Sequence, residues 1–592
     1  MKTVTIFLTL IFSLSAQAVI LNVPDDFETI QGAINATEDG DTILVAPGEY
    51  IENINFVGKA IFVASLIIAD GDEVYIDSTV INGNREGSVV TFANGEDQNS
   101  VLFGFTITNG TGFLIQRNYS YYYGGGIFCF ESNPFIWNCI IRDNSLPDGD
   151  RDDSRGGGIC CWDASPLIEN CVITNNYACN DGGGLYSYSD SRPILISTAI
   201  KNNVSGFEGG GISGIRCTII DCKIGGNRAR SGGGIYGGGH NINDSEISFN
   251  SAERSGGGLF LQGPSIIRNS IIMENSANRG GGIHFQQSNA ILDSCMIKGN
   301  SSESGGGGVN IIGWESPTFT YCTISGNSSE RGSGAVYCRV NAQPIFEHCT
   351  IHNNSSGSEG AIQCRDSNIT LSNCTIAGNN AEYCTGIGLR HASQAIIINS
   401  ILWNDNINIW LSDEASITIS YSCIEGGEEG IDTDEDNVQW DEGNIDRYPL
   451  FVNSEEGDFH LTRESPCIDT GYPDSPEDPD GTRADMGAFY FDQEVSINAE
   501  FIEFPSGIRL YSIYPNPFNS TLQIKYAVPF ITNLSFILYD ISGRSVLNEK
   551  VGYKTPGLHT LEFQAGNLPS GLYILQMKTD GNCFNRKISL LK

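Results

Sequence analysis

Basic residues are scarce in this chain: 33 Lys and Arg stand against 70 Asp and Glu, a formal charge of −37. Such a balance argues against nucleic acid and against an anionic membrane surface as partners, and solubility outside a cell accounts for it. Histidine is scarcer still, with 7 scattered singly, so no histidine-based site stands out. Beyond the first residues no stretch reaches the roughly 18 to 20 apolar residues of a membrane-spanning helix. CxxC pairs that would hold a metal are also missing, although there are 18 cysteines.

What the chain has in abundance is glycine, 70 residues of it, arranged with a period. From Gly124 onward a glycine cluster followed by an aliphatic residue returns as GGGIFC, GGGICC, GGGLYS, GGGISG, GGGIYG, GGGLFL, GGGIHF, GGGVNI, GSGAVYC, GAIQC and GIGLRH. After a longer first step the spacing is roughly 23 to 27 residues, which signals a solenoid. Read in steps of two, one repeat holds three short strands separated by turns, too short for blades or helix pairs. An all-β parallel β-helix follows, in which stacked rungs build one continuous core.

Columns of that stack can be read in the sequence. A core aliphatic runs Ile141, Ile173, Ile200, Ile224, Ile247 and onward, with an asparagine three residues later from Asn144 to Asn379. Asparagine tolerates a left-handed turn and its amide both donates and accepts, so the column reads as a structural ladder. Cys139, Cys171, Cys222, Cys295, Cys322, Cys349 and Cys374 share one inward column with Thr198, Ser245, Ser270 and Ser400. Cys129, Cys161, Cys338 and Cys364 share another with Ser187 and Leu261. Positions filled by Cys, Ser and Thr alike select small side chains, and are read as buried thiols rather than disulfides.

Candidate binding residues lie on outward positions. Phe128, Phe130, Trp162, Tyr186, Tyr188 and Tyr236, with Tyr121 and Tyr122 just before them, present rings suited to stacking on sugars. Arg339, Arg365 and Arg390 continue the same outward columns and offer bidentate contacts to carboxylate or sulfate. Stacked rings could equally serve the sheet alone through cross-strand pairs. The insertion SLPDGDRDDSR places Asp148, Asp150, Asp152 and Asp153 at a spacing that suits calcium, though without the glutamate an EF-hand requires, and a solvated acidic loop is the plainer reading. No acid or base pair on neighbouring rungs is legible, so no catalytic residue is assigned.

Along the chain, residues 1–18 (MKTVTIFLTLIFSLSAQA) form a signal peptide, with a lysine, an apolar run and an Ala-Gln-Ala end. Residues 19–95 carry the helix-spaced FETIQGAINA, a cap for the exposed end, and the strands TILVA and AIFVAS, expected to form the first rung. The repeats fill 96–425, and 426–491 is an acidic, proline-rich closing cap with SPCIDTG and DMGA. A linker at 492–507 precedes alternating runs over 508–592, among them TLQIKYAVP and LSFILYDI, which predict a small immunoglobulin-like β-sandwich.

The segment VPDDFETIQGAINATEDGDTILVAPGEY resembles the start of pectin-lyase-like right-handed β-helix proteins. The GGGI and asparagine motifs resemble repeats of chlamydial polymorphic outer membrane proteins; together these cover about residues 22 to 425 and imply fold, not reaction. The NTD, DD, GHG and RIK set of polygalacturonases and the WxDH motif of pectate lyases are not found. YPNPFN, DISGR, SGLYIL and the final KISLLK resemble the C-terminal sorting domain of type IX secretion substrates. That resemblance implies the type IX machinery as a partner and delivery to the surface or medium of a Gram-negative bacterium; an adhesion module is the rival reading. The expected function is an exported scaffold for glycan binding or adhesion. The alternatives are a calcium-dependent polysaccharide lyase and a purely structural surface protein.

Overall fold

A computed structural model describes residues 18–116, 120–148, 152–433, 437–493, 508–516, 518–528, 532–540, 544–554, 557–564, 566, 568–579 and 583–590. The signal peptide reading therefore falls almost wholly outside the described residues. Contacts divide the chain into one unit ending at Phe491 and another beginning at Asp492.

The first unit is a right-handed parallel β-solenoid of about 16 turns. Its ladders are in register from rung to rung: Ile127 to Ile159 to Leu185 on the glycine-side sheet, and Ile141 to Ile173 to Ile200 on another. Among the described residues these ladders build sheets of 17, 15 and 15 strands. The repeat differs from expectation in having a fourth side, a 9-stranded ladder of very short strands such as Tyr177–Ala178 and Ser276–Arg279. Each follows the asparagine and carries small or polar residues, so no apolar alternation announced it.

The asparagine column is a continuous amide file. From Asn176 onward each Oδ1 accepts from both the backbone N and the Nδ2 of the preceding rung's asparagine, as in Asn275 to Asn300 at 3.0 and 3.0 Å. Each Nδ2 also donates to a carbonyl one rung back, as Asn300 does to Ile272 at 2.9 Å. The file runs beyond Asn379 to Asn404. The left-handed turn residue is not the asparagine, however, but the residue before it: Asp143, Asn175, Asn202, Gly226, Phe249 and Glu274 all have φ of 53 to 67°. The amide fastens the turn; its neighbour makes it.

The cysteine column has a comparable role at the previous corner. Backbone N–H groups donate along it, from Cys139 to Cys171 Sγ at 3.4 Å, Cys171 to Thr198 Oγ1 at 3.3 Å and Cys222 to Ser245 Oγ at 3.1 Å. Cys, Ser and Thr interchange there because each supplies a small acceptor, not only a small volume. The cysteines whose side chains are described are free thiols. The glycine triplets form the next corner. In the second, Gly156 has φ of 73°, while a Cβ on Gly157 would lie 2.5 Å from the Gly183 carbonyl oxygen stacked above it.

At the start, Ile30–Ala36 is helical, capped by the Thr29 side chain, with Ile30, Ala33 and Ile34 buried against the first rungs. TILVA and AIFVAS belong to adjacent rungs of one sheet rather than to one rung, since Thr42 pairs with Phe62 in register. At the far end Ile431–Thr433 and Val438–Trp440 still extend two ladders, and the following segment packs Phe451, Phe459, Leu461, Cys467 and Met486 against Ala377, Ile401, Tyr421 and Cys423 of the last rungs.

The second unit is antiparallel, with sheets of 3 and 4 strands. Leu522, Ile524 and Tyr526 of one sheet and Phe536, Leu538, Leu575 and Met577 of the other share one core, which makes it a sandwich.

Candidate functional site

The glycine corner is concave, and two columns face each other across it. On one side stand the residues just before the glycines: Tyr123, Arg155, Asp181, Glu208 and Ser231, bridged in register. On the other stands the first outward position of the following strand: Phe128, Cys160, Tyr186, Ser213 and Tyr236.

Several expected ligand-binding rings are withdrawn from the surface by this arrangement. Phe128 and Tyr186 are buried with Tyr123 and Cys160 in a small outer cluster against which Tyr121, Phe130 and Trp162 pack. Phe113, from the hairpin Phe113–Gln116 and Ser120–Tyr123, stacks on Phe128 at 4.9 Å and 9°. Arg155 covers Tyr186 at 5.5 Å. Tyr122 is half-buried on the same hairpin strand. What remains accessible is the second outward position. Phe130, Trp162 and Tyr188 stand edge to face, 5.7 and 5.5 Å between centroids, and Tyr188 is 47% exposed.

One rung further the rings stop. Ser213 stands where Tyr186 and Tyr236 stand on either side, and Ile215 and Gly238 follow Tyr188. The missing bulk leaves a hollow of about 410 Å³ walled by Tyr186, Tyr188, Tyr236, Gln262, Asp181 and Glu208. Its volume lies within the roughly 300 to 1,000 Å³ of small-ligand sites.

Asp181 and Glu208 are neighbours on adjacent rungs, the pair of acids that sequence reasoning did not find. Asp181 accepts from Arg155 Nε at 3.0 Å, and Arg155 also pairs with Asp153 at 2.9 Å. Burial raises the pKa of Asp181 even against the Arg155 charge, and burial likewise raises Glu208, which Tyr236 hydrogen-bonds. Burial also pushes the Tyr186 and Tyr236 phenols up, so both remain protonated donors. The hollow is thus lined by two carboxylates, one held by Arg155 and one by the Tyr236 phenol, with the Tyr186 phenol and a ring face beside them.

Beyond it the column is closed again. Tyr236 stacks on Phe260 at 4.8 Å, and Phe260 lies 4.7 Å from His284, which burial pushes down to about 3. The arginines come last: Arg339 is half-buried, Arg365 exposed, and Arg390 is tied to the buried Glu359 at 2.6 Å.

The acidic insertion is not a loop throughout, since Asp152–Arg155 form a strand against Ser120–Tyr123. Asp150 lies outside the described residues, and of Asp152 only the backbone is described. Asp148 accepts from Tyr177 at 3.1 Å, and Asp153 is held by Arg155. Among the described residues no three His, Cys, Asp or Glu side chains are grouped to hold a metal ion.

Comparison with known proteins matches residues 512–590 to the family described as "Secretion system C-terminal sorting domain". The family described as "Right handed beta helix region" matches 157–320, 231–382 and 307–445. The chain is a right-handed β-helix protein with a type IX sorting tail. The sorting tail indicates that this β-helix protein is exported to the cell surface or beyond. No curated protein matches it. Among solved structures, "Crystal structure of pectate lyase Pel9A" is 14% identical, covering 81% of this chain and 97% of that one at a TM-score of 0.25. "Siphovirus 9NA tailspike receptor binding domain" is 10% identical, covering 96% and 98% at a TM-score of 0.23. No helix among the described residues of the β-helix protein is long and apolar enough to cross a membrane.

Proposed function

We propose that this exported β-helix protein, carried across a Gram-negative outer membrane, is a glycan-binding scaffold whose corner groove takes an extended polysaccharide. The observation that carries the reading is the gap in the ring column at Ser213, placed between the accessible Trp162 and Tyr188 rings and the Asp181, Glu208 and Tyr236 polar groups. A sugar ring presents an apolar face to an aromatic side chain and hydroxyls to acceptors around it, and this hollow supplies both within one rung's reach. The larger hollow of about 440 Å³ on the polar fourth side, lined by Glu253, Glu303 and Glu330 with serines and alanines, has no ring and fits a sugar less well.

Binding is tested by titrating the mature chain with a neutral β-glucan, chitin, a uronate polymer and the methyl ester of that polymer. Trp162→Ala and Tyr188→Ala should each weaken whichever polymer binds by about tenfold, near the loss of one desolvated ring contact. No binding to any of the four, or binding indifferent to both substitutions, would remove the proposal.

A further inference from the structure

The second outward position of the glycine-side sheet changes chemistry along the solenoid. It carries Phe130, Trp162 and Tyr188 near one end and Arg339, Arg365 and Arg390 near the other, the arginines paired one to one in register. Successive rungs are about 4.8 Å apart, so the three guanidiniums stand close enough to repel, and like charges directly opposite destabilise a sheet.

Acidic residues outnumber basic ones about two to one in this chain, and Arg142, Arg155, Arg216, Arg228 and Arg268 each sit within 4.0 Å of a carboxylate. Arg339 and Arg365, like Arg254, Arg279, Arg331 and others, have no such partner among the described residues; what sets these two apart is that they face each other in register. The third member of the file shows what the other two lack. The Glu359 carboxylate, fully buried, lies across the strand and meets Arg390 Nη2 at 2.6 Å, while Trp410 backs the guanidinium at 4.5 Å. It can do so because position 388 is glycine: a Cβ there would come 2.7 Å from Glu359 Cγ.

In the preceding rungs this arrangement is not available from within. The register places Ser333 and Gly306 where Glu359 stands, and Gln363 and Tyr337 where Gly388 stands. The column beside them therefore offers Arg339 and Arg365 no carboxylate of the kind that Arg390 has, and their guanidiniums are open to one from outside the chain.

We propose that Arg339 and Arg365 bind carboxylates of an acidic, uronate-type polysaccharide lying along the solenoid axis, with Glu359 as the chain's own stand-in at Arg390. The inference rests on the glycan-binding reading and names the class of polymer. From Trp162 to Arg365 the outer column advances eight rungs, about 38 Å at 4.8 Å each, so a long chain is needed to meet both ends.

The test compares a uronate polymer with its methyl ester, which keeps the backbone and removes the charge. At about 50 mM salt, where surface charges are weakly screened, the acid form should bind about tenfold tighter, and the preference should shrink as salt rises. Arg339→Ala with Arg365→Ala should erase the preference while leaving ester binding unchanged. Arg339→Lys with Arg365→Lys should keep part of it, and Arg228→Ala with Arg268→Ala, an equal loss of charge on other sides, should keep all of it. Equal binding of acid and ester, a preference that survives the double alanine substitution, or equally tight binding of dextran sulfate would each overturn the inference. Ester binding would meanwhile leave the glycan-binding reading standing. Failure of all these polymers to bind would overturn both.

Discussion

At the scale of the residue, the fold is held by side chains whose hydrogen-bonding capacity is fully used. Asn300 accepts two donors from Asn275, and donates to Ile272 and to Asn327. Asn300→Ala would strand several buried groups at once, each costing about 1–3 kcal/mol, so the expected loss is about 3–5 kcal/mol by chemical denaturation. A loss below about 1 kcal/mol would mean that the file is ornamental. Phe249 makes the opposite case. It holds φ of 56° and is 62% exposed at a turn position that Gly226, Gly299 and Gly326 occupy in other rungs. A bulky side chain is strained there, and Phe249→Gly should stabilise the protein by about 0.5–1 kcal/mol in the same measurement, the relief exceeding glycine's entropic cost.

At the scale of the element, what was legible and what was not divides along the periodicity. The aliphatic, asparagine and cysteine columns recur with apolar alternation, and each lies on a ladder. Asp181 and Glu208 were hidden because each stands alone before a glycine triplet in a segment without alternation. Their adjacency exists only once the fourth side returns the chain to the corner. The burial of Phe128 and Tyr186 was equally hidden, since it depends on Phe113, in a hairpin outside the repeat, for the one and on Arg155 for the other. The segment packed on the last rungs has chemistry of its own. Burial pushes Asp478 up to about 6 and Asp485 to about 7, the latter still accepting from the Asp469 and Phe491 backbone N–H groups at 2.7 Å each. Their folded pKa values lie above the roughly 3.9 of a free aspartate, so the stability they lend is full below about pH 4 and is lost as pH rises through 6 and 7. Amide exchange over residues 465–491, corrected for intrinsic rate, should therefore be faster at pH 8 than at pH 5, and Asp485→Asn should flatten the difference. An unchanged profile in the parent protein would refute this.

At the scale of the whole molecule, stability is a sum over neighbours, with each rung resting on the next and the helix Ile30–Ala36 closing the first. The cysteines belong to this scale because they run through most of the solenoid. Burial pushes the Cys222 and Cys384 thiols up to about 12, and Cys160 well above its ordinary value. A thiol-reactive dye should therefore modify few cysteines in the native protein and nearly all after denaturation; rapid native modification of most of them would contradict the structure. The consequence reaches into how long the protein lasts. Oxidants and disulfides react with thiolate, and a thiol kept both protonated and out of contact with water reacts slowly. A protein released into open, oxygenated surroundings would ordinarily age through its sulfur. Here most of the described sulfur is stored where weather does not reach it.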